Sequence, residues 1–358
     1  MDQKLRVGVA GSGIGRSHIH SFQSLPDQYE VIAIAGKDER TRQAAAQFGI
    51  SRVTSDFGDL CRMDDLDVID ICTPSFLHYE QTIQALEAGK DVILEKPACG
   101  SLSEWDGLVQ AEVRTGRRIM PIFQNRMGQA AQKLHFLVKE GVAGRAYLST
   151  AETAWRRRWD YYNGTWHGKW SSELGGALVT LGIHAHDVVT SIIGPARSVF
   201  ARVATRVNPV ESEDCFSASL EMADGSLASF SLTVGSVEQI TRLRFVFENL
   251  AAESNTQPYR STSEPWQIFP DTAEAGAAIQ AALLRFIPYP EGFTGQFVGF
   301  SAALGSGTPF PVTMEDARQA LELLTAFYLS ARTNRPVDLP IPIDHPYYRG
   351  WLPESGLA

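Results

Sequence analysis

The first 120 residues alternate short β-branched runs with helical patterns, and this alternation constrains the fold more than any other feature. LRVGVAG is followed by a helical pattern from about Gly15 to Leu25, and EVIAIAG is followed by ERTRQAAAQFG. DVIDICT and DVILEKP each precede another helical pattern, and RIMPIF is one more buried strand. Strands that alternate with helices of this length form βαβ units, so the sequence predicts an α/β domain with a doubly wound parallel sheet.

After about Ala146 the pattern changes to longer strands without intervening helices. One of these segments, FSASLEMADGSLASFSLTV, contains Ala-Asp-Gly-Ser at 223–226, which is typical of a hairpin turn. Helices are predicted over about Ala177–Ile193 and about Met314–Thr333. We therefore expect a dinucleotide-binding domain over 1–123 and an α+β domain with a large open antiparallel sheet over 124–358.

The composition is that of a globular protein without a nucleic-acid surface. The 358 residues are 44% hydrophobic and 20% charged with a net charge of −9, whereas phosphate backbones require clustered Lys and Arg. The apolar runs are strand-length, shorter than the roughly 20 residues that span a bilayer, and no signal-peptide pattern is present. The four cysteines are scattered, which favours buried thiols and predicts a cytoplasmic protein.

A glycine-rich turn, GSGIGRSH at 11–18, joins the first strand to the first helix. Backbone N–H groups of this turn and a helix N-terminus can hold a pyrophosphate in a Rossmann domain. The expected cofactor-binding residues here are Gly11, Ser12, Gly13, Ile14 and Gly15. Their spacing, G-x-G-x-G, departs from the usual G-x-G-x-x-G, so the motif alone is weak, and a tight βα turn without a ligand is the alternative.

The end of the second strand indicates which nicotinamide cofactor binds. Gly36 stands where an acidic residue usually binds the ribose hydroxyls, and Lys37 follows it. A cation at this position suits a 2′-phosphate, so the sequence favours NADP over NAD. The alternative is that Lys37 is a solvated loop charge and that Asp38 reaches the ribose.

TPSFLHYEQTIQALEAGKDVILEKP at 73–97 is a more specific motif. Together with GIGRSH, FQNR (123–126), EGVAGR (140–145), WSSELGGALVTLGIHAHD (170–187) and the segment 295–331, it resembles the Gfo/Idh/MocA family, the glucose–fructose oxidoreductase and inositol dehydrogenase group. The resemblance covers the whole chain. It implies hydride transfer between a nicotinamide and a carbinol carbon of a sugar, sugar derivative or cyclitol. It also implies a homodimer or homotetramer that assembles through the open sheet.

Glu95-Lys96-Pro97 ends an apolar parallel strand, where ligands bind in such sheets. Pro97 holds the preceding residue extended and so aims Lys96 in a defined direction; a plain surface turn is the alternative. The resemblance implies that Lys96 is the active-site lysine, whose ammonium binds the reacting oxygen and stabilises alkoxide charge. By the same resemblance Glu95 positions backbone or cofactor.

Other polar residues follow the strands of the predicted sheet. The resemblance implies that Thr73 and Pro74 contact the cofactor, that His78 braces their turn, and that Asn125 lies near the nicotinamide. Arg126 is either a substrate contact or an interdomain salt bridge. His18, after the glycine-rich turn, is interpreted as a structural or cofactor-adjacent donor.

WRRRWDYYNGTWHGKW at 155–170 combines aromatic and basic side chains. Aromatic faces and polar groups together suit a polyhydroxylated ring. We therefore expect substrate contacts from Trp155, Arg158, Tyr161, Trp166 and His167. An interface or packing loop is the alternative, and the arginines leave an anionic sugar open as substrate.

LGIHAHD at 181–187 places two histidines among apolar residues with helical spacing. On a helix His184 and His186 lie about 200° apart, so they do not chelate one ion, and no metal site is expected. The resemblance singles out His184 as the general acid/base, because many members have Asp-x-x-x-His there. In this chain Thr180 stands at the aspartate position and could orient His184 only by a hydrogen bond.

Two alternatives to a sugar or cyclitol dehydrogenase remain open at this point. One is an enzyme that oxidises glycosides at C3 with a tightly held cofactor, followed by elimination. The other is a non-catalytic, cofactor-binding regulatory or scaffold protein of the same fold. The presence of Lys96 and His184 argues against the second alternative.

Overall fold

The chain divides into two compact units in the computed structural model, which describes residues 4–353. The first unit runs to Gln124 and also includes Gly292–Arg318. The second consists of Asn125–Glu291 and the described residues from Gln319 onward. The alternation of strands and helices in the sequence does not indicate that a segment near residue 300 belongs with the first 124 residues.

The sheet of the first unit has six parallel strands in the order β3-β2-β1-β4-β5-β6. These strands are β1 (Leu5–Ala10), β2 (Tyr29–Ala35), β3 (Arg52–Thr54), β4 (Val68–Ile71), β5 (Asp91–Leu94) and β6 (Ile119–Pro121). The order reverses at β1, which is the doubly wound Rossmann arrangement, and the predicted fold class of this half is confirmed.

The α-helices of both units lie between and beyond the strands. They are α1 (Gly15–Gln23), α2 (Glu39–Phe48), α3 (Phe57–Cys61), α4 (His78–Glu87), α5 (Leu102–Thr115), α6 (Gln129–Lys139), α7 (Trp159–Tyr162), α8 (Trp170–Glu173), α9 (Ile183–Ile193), α10 (Ala273–Leu283), α11 (Gly292–Ser306) and α12 (Met314–Thr333). Helix α5 shows the sequence signals of a helix at both ends. The Ser101 side chain accepts a hydrogen bond from the Glu104 N–H, and Gly116 follows the helix with φ +68°.

Helix α11 completes the core of the first unit. The rings of Phe22 in α1 and Phe297 in α11 stack with centroids 4.0 Å apart. The Tyr29 hydroxyl donates to the Phe297 carbonyl at 2.6 Å, which ties α11 to β2. Because these side chains are buried, the hydrophobic effect holds this distant segment against the Rossmann sheet.

The sheet of the second unit has eight strands in the order β13-β12-β11-β7-β10-β9-β8-β14. They are β7 (Ala146–Arg156), β8 (Ala196–Ala204), β9 (Cys215–Met222), β10 (Leu227–Thr233), β11 (Gly235–Phe247), β12 (Leu250–Glu253), β13 (Gln267–Pro270) and β14 (Val337–Asp338). The predicted hairpin joins β9 to β10, which pair antiparallel. The sheet is mixed rather than purely antiparallel, because β10 pairs parallel to β7.

One helical segment, Trp170–Ile193, is long and apolar enough to cross a membrane by length and composition alone, which the sequence analysis did not expect. Its most apolar window is 78% buried inside the protein. Core helices of soluble proteins share these properties, so the segment is weak evidence for a membrane span.

The cysteines form no disulfide within residues 4–353. Cys61, Cys72 and Cys99 are buried thiols and Cys215 is half-buried.

Candidate active site

The three glycines of the turn after β1 have three different surroundings. Gly11 has φ +98°, and a Cβ there would lie 2.4 Å from the Cys72 carbonyl oxygen. A Cβ on Gly13 would meet nothing within 4 Å, whereas one on Gly15 would touch Val9 at 3.0 Å. Gly11 thus makes the tight turn, Gly13 leaves room for a ligand, and Gly15 lets the helix pack on the strand. These are the three roles of the glycines in a dinucleotide-binding turn, at a shorter spacing.

Helix α1 begins at this turn without a side-chain cap. The first N–H groups of a helix have no partners within the helix itself, and they carry its positive dipole end. This turn could therefore hold a pyrophosphate, and the residues present fit a dinucleotide.

Asp38 occupies the place next to this turn that a carboxylate at residue 36 would otherwise take. It caps α2, accepting from the Thr41 N–H at 3.1 Å and the Thr41 hydroxyl at 2.9 Å, and the Ser12 hydroxyl donates to it at 3.4 Å. A Cβ on Gly36 would lie 2.2 Å from the Thr41 hydroxyl, so no side chain fits there. Lys37 is exposed. Both sequence interpretations of the ribose site thus keep a residue in position.

His18 is fully buried between two carboxylates. Its Nδ1 lies 3.0 Å from Asp70 in β4, and its Nε2 lies 3.1 Å from Glu95 Oε1. Burial by itself lowers the pKa of His18, but the charge of Asp70 outweighs burial and the pKa lies well above its ordinary value. The ring is therefore an imidazolium at neutral pH. Cys72 Sγ lies 3.3 Å from Nδ1, and burial raises the pKa of that thiol.

The sequence analysis did not identify Asp70. Its only signal is an acidic residue in the middle of the apolar run DVIDIC. Donor atoms of His18, Asp70 and Cys72 lie within 4.8 Å of one another, a spacing that could also hold a metal ion.

Glu95 connects this buried cluster to the backbone of Lys96. While Oε1 receives His18, Oε2 accepts from the Lys96 N–H at 3.0 Å. His78 braces the two neighbouring turns, with Nδ1 2.7 Å from the Pro97 carbonyl and Nε2 2.8 Å from the Thr73 carbonyl. Burial lowers the pKa of His78. The Lys96 side chain thus extends from a backbone that buried side chains hold from two directions.

In the second unit, the predicted helix over 177–193 forms in two parts. A π-helical turn, Leu178–Gly182, leads into α9. π-Helical turns are frequent at functional sites, and this one contains Thr180 and directly precedes His184. His186 is fully buried against Phe327, and burial lowers its pKa to about 3. His186 therefore stays neutral, whereas His184 is only half-buried.

Arg126 forms a two-pronged ion pair with Asp187. Its Nε and Nη2 lie 2.8 and 2.7 Å from the two carboxylate oxygens. Both residues belong to the second unit, so the salt bridge considered for Arg126 forms inside one unit and fixes the start of α9. Asn125 adjoins Arg126 in a short 3₁₀ turn, Gln124–Met127.

The aromatic segment 155–170 separates into packing residues and a stack. Trp155 is buried and donates to the Thr241 hydroxyl at 2.9 Å, and Arg158 donates to the Gly235 carbonyl at 3.3 Å. The stack contains the other predicted side chains: the His167 ring lies 4.5 Å from Tyr161 and 3.9 Å from Trp166, centroid to centroid.

Glu173 is a buried carboxylate that the sequence analysis did not assign. It lies 3.1 Å from His167 Nδ1 and 3.0 Å from the Thr180 hydroxyl, and it also accepts from the Gly168 N–H. The structure thus brings two predicted site residues, His167 and Thr180, to one carboxylate. The only signal in the sequence is its place in WSSELGGA, between the aromatic segment and the helix.

Comparison with known proteins gives two family matches along the chain. Residues 5–123 match the oxidoreductase family with an NAD-binding Rossmann fold, and residues 131–252 match the Gfo/Idh/MocA C-terminal domain. D-glucoside 3-dehydrogenase of Escherichia coli is 27% identical over 372 residues, 94% of this chain and 97% of its own. An NADP⁺-dependent scyllo-inositol 2-dehydrogenase of Bacillus subtilis is 25% identical over 218 residues, 61% and 60% of the two chains.

A solved structure is similar over nearly the whole chain. The WlbA dehydrogenase of Bordetella pertussis, in complex with NADH and UDP-GlcNAcA, has a TM-score of 0.84 and 26% identity, covering 95% of this chain and 100% of that one.

Proposed function

The chain belongs to the Gfo/Idh/MocA family of NAD-binding oxidoreductases, and from this we propose that it oxidises a carbinol carbon of a sugar, sugar derivative or cyclitol. The division of roles among Gly11, Gly13 and Gly15 carries the proposal. It makes the turn at the start of α1 suitable for a dinucleotide in spite of its irregular spacing. A bound nicotinamide would supply the hydride acceptor in the forward direction and the donor in reverse.

The chain's own residues supply binding and proton transfer. We assign the Lys96 ammonium to the reacting oxygen, where it stabilises developing alkoxide charge. We assign His184 to the proton, which passes from the substrate hydroxyl to the imidazole as the C–H hydride leaves. Thr73, Pro74, His78 and Glu95 then shape the cofactor side of the site.

A substrate screen tests the proposal. Monosaccharides, cyclitols, alkyl glycosides and uronic acid sugars are incubated with the protein and NAD⁺ or NADP⁺, and reduction is followed by nicotinamide absorbance. We expect turnover with at least one polyhydroxylated ring. If nicotinamide binds and no compound is oxidised or, in reverse, reduced, the protein is the non-catalytic member of the fold.

Oxidation of glycosides at C3 is the second candidate, and the similarity to D-glucoside 3-dehydrogenase favours it. In this case alkyl glycosides would react and free cyclitols would not. Cofactor that stays bound through purification, seen as nicotinamide absorbance in the purified protein, would support the version of this reaction in which the cofactor is recycled in place.

We expect His184→Ala to remove the dependence of kcat/KM on pH between about 6 and 8. An imidazole titrates in this range, and a base must be unprotonated to accept the hydroxyl proton. The rate-versus-pH profile of His186→Ala is the matched control, because His186 is buried and stays neutral. A profile of His184→Ala that coincides with that of the wild type would exclude His184 as the base.

We propose NADP as the preferred cofactor, and Lys37→Ala tests it. Loss of an exposed cation that pairs with the 2′-phosphate should raise KM for NADP about 5- to 30-fold, at 1–2 kcal/mol, and leave KM for NAD unchanged. Lys139→Ala, which also removes an exposed lysine, is the control. Equal changes for the two cofactors would mean that Asp38 binds the ribose instead and that NAD is the cofactor.

The remaining expectations concern the setting of the protein. We propose a cytoplasmic homodimer or homotetramer that associates through the face of the eight-stranded sheet. Light scattering of the purified protein measures the subunit number.

A further inference from the structure

Glu173 holds two polar side chains of the second unit at one buried carboxylate. Its side chain is 2% exposed. One oxygen, Oε1, receives both His167 Nδ1 and the Thr180 hydroxyl, and the other receives the Gly168 N–H. A buried carboxylate is costly unless donors surround it, so this arrangement requires all three donors at once.

The carboxylate also explains why a threonine occupies position 180. The Thr180 hydroxyl lies 3.0 Å from Glu173 Oε1, so an aspartate there would place two buried carboxylates in contact. Like charges at that distance cannot both be ionised. The departure from Asp-x-x-x-His is therefore compensated within the chain, since Glu173 brings the negative charge and Thr180 brings the donor.

The backbone around Glu173 is strained. Leu174, the next residue, has φ +64°, a conformation that is uncommon for a bulky residue and adds strain of the order of 1 kcal/mol. It is held there by burial and by the Trp351 indole, which donates to its carbonyl at 2.6 Å. The strained turn directs the chain from α8 into the π-helical turn that carries Thr180.

The contact with Glu173 fixes the proton on the His167 ring. A carboxylate only accepts hydrogen bonds, so Nδ1 carries the hydrogen and Nε2 presents a lone pair. Nε2 makes no hydrogen bond to any residue between 4 and 353, and the side chain is 16% exposed. The ring is held between Tyr161 and Trp166, so only its edge is available to a ligand.

We propose that Glu173 is a positioning residue that locks His167 as the acceptor for a hydroxyl of the substrate. This rests on the proposed function, which supplies the polyhydroxylated ring. The hydroxyl donates to Nε2, and the neighbouring aromatic faces pack against the C–H groups of the same ring.

Other charged groups lie near the pair. The Arg157 guanidinium lies 5.3 Å from the centre of the Tyr161 ring. Glu213 accepts from the Gly176 and Leu178 N–H groups at the start of the π-helical turn, and burial raises its pKa to about 7. Because Glu213 titrates near neutrality as well, a pH profile would not isolate His167, and the test below relies on KM.

The kinetic test compares Glu173→Gln, His167→Gln and the double variant on the substrate identified by the screen. Each single variant should raise KM for that substrate about 10- to 100-fold, the range for a hydrogen bond to a charged or charge-backed group. KM for the cofactor should stay within twofold and kcat within threefold. The double variant should be no worse than either single one, and additive losses or an unchanged KM would overturn the proposal.

Thr180→Asp in the Glu173→Gln background is the rescue. It returns a carboxylate to about the same position without a second negative charge, so KM should recover at least fivefold, whereas Thr180→Asp alone should be destabilising. A loss caused only by disturbed folding would not recover with a second buried substitution, and absence of recovery would count against the positioning role.

A second measurement separates this proposal from the proposed function. Ring ¹⁵N spectra of histidine-labelled wild-type protein, with His167→Gln to assign the signal, should show His167 with hydrogen on Nδ1. This holds even if the screen finds no substrate. Hydrogen on Nε2, or averaging between the two forms, would overturn the locked orientation.

Discussion

Lys96→Met is expected to lower kcat by about 10²- to 10³-fold or more, the range for loss of one donor to a developing oxyanion. Methionine keeps the length and the aliphatic part of the side chain but has neither charge nor donor. The contact that orders this turn is made by the Lys96 backbone N–H with Glu95, so the substitution leaves it in place. Steady-state rates on the substrate from the screen measure the effect.

Cofactor binding provides the internal control for Lys96→Met. The dissociation constant for the nicotinamide cofactor, from quenching of tryptophan fluorescence, should change less than threefold. Lys96→Arg keeps the charge but changes the shape of the donor, and it should retain more activity than Lys96→Met. Turnover of Lys96→Met within threefold of the wild type would mean that the reacting oxygen is stabilised by another group.

The parts of the fold that follow from local periodicity were predictable from the sequence. Alternation of apolar runs and helical patterns indicated the parallel sheet, and an Ala-Asp-Gly-Ser turn indicated the β9–β10 hairpin. The return of α11 to the first unit was not predictable, because Phe297 packs on Phe22 and Tyr29. Those contacts join positions more than 260 residues apart, and nothing local in the sequence encodes them.

The candidate site divides in the same way. Lys96 and His184 stand in motifs with a recognisable spacing, so they could be named from the sequence. Asp70 and Glu173 could not, since each acts through a partner distant in sequence or across a strained turn. The glycine-rich turn is an intermediate case. Its spacing looked irregular, and only the surroundings of Gly11, Gly13 and Gly15 separate their roles.

His18→Gln is expected to lower the free energy of unfolding by about 3–5 kcal/mol near pH 6, because it leaves Asp70 and Glu95 buried without their cation. Glutamine can donate to only one of the two carboxylates and carries no charge. His20→Gln is the matched control: His20 lies on the same helix but is exposed, so its effect should stay within about 0.5 kcal/mol. Urea unfolding followed by circular dichroism measures both.

The pH dependence of this difference identifies its cause. The pKa of His18 is raised in the folded protein, so its contribution to stability is fully present below the ordinary value of about 6.5 and is lost as the pH rises through the folded-state pKa. The gap between wild type and His18→Gln should therefore narrow towards alkaline pH. A metal ion held by His18, Asp70 and Cys72 would give the opposite trend, because protons compete with metals for their ligands. A gap that widens with pH and disappears with a chelator would replace the ion pair by a metal site.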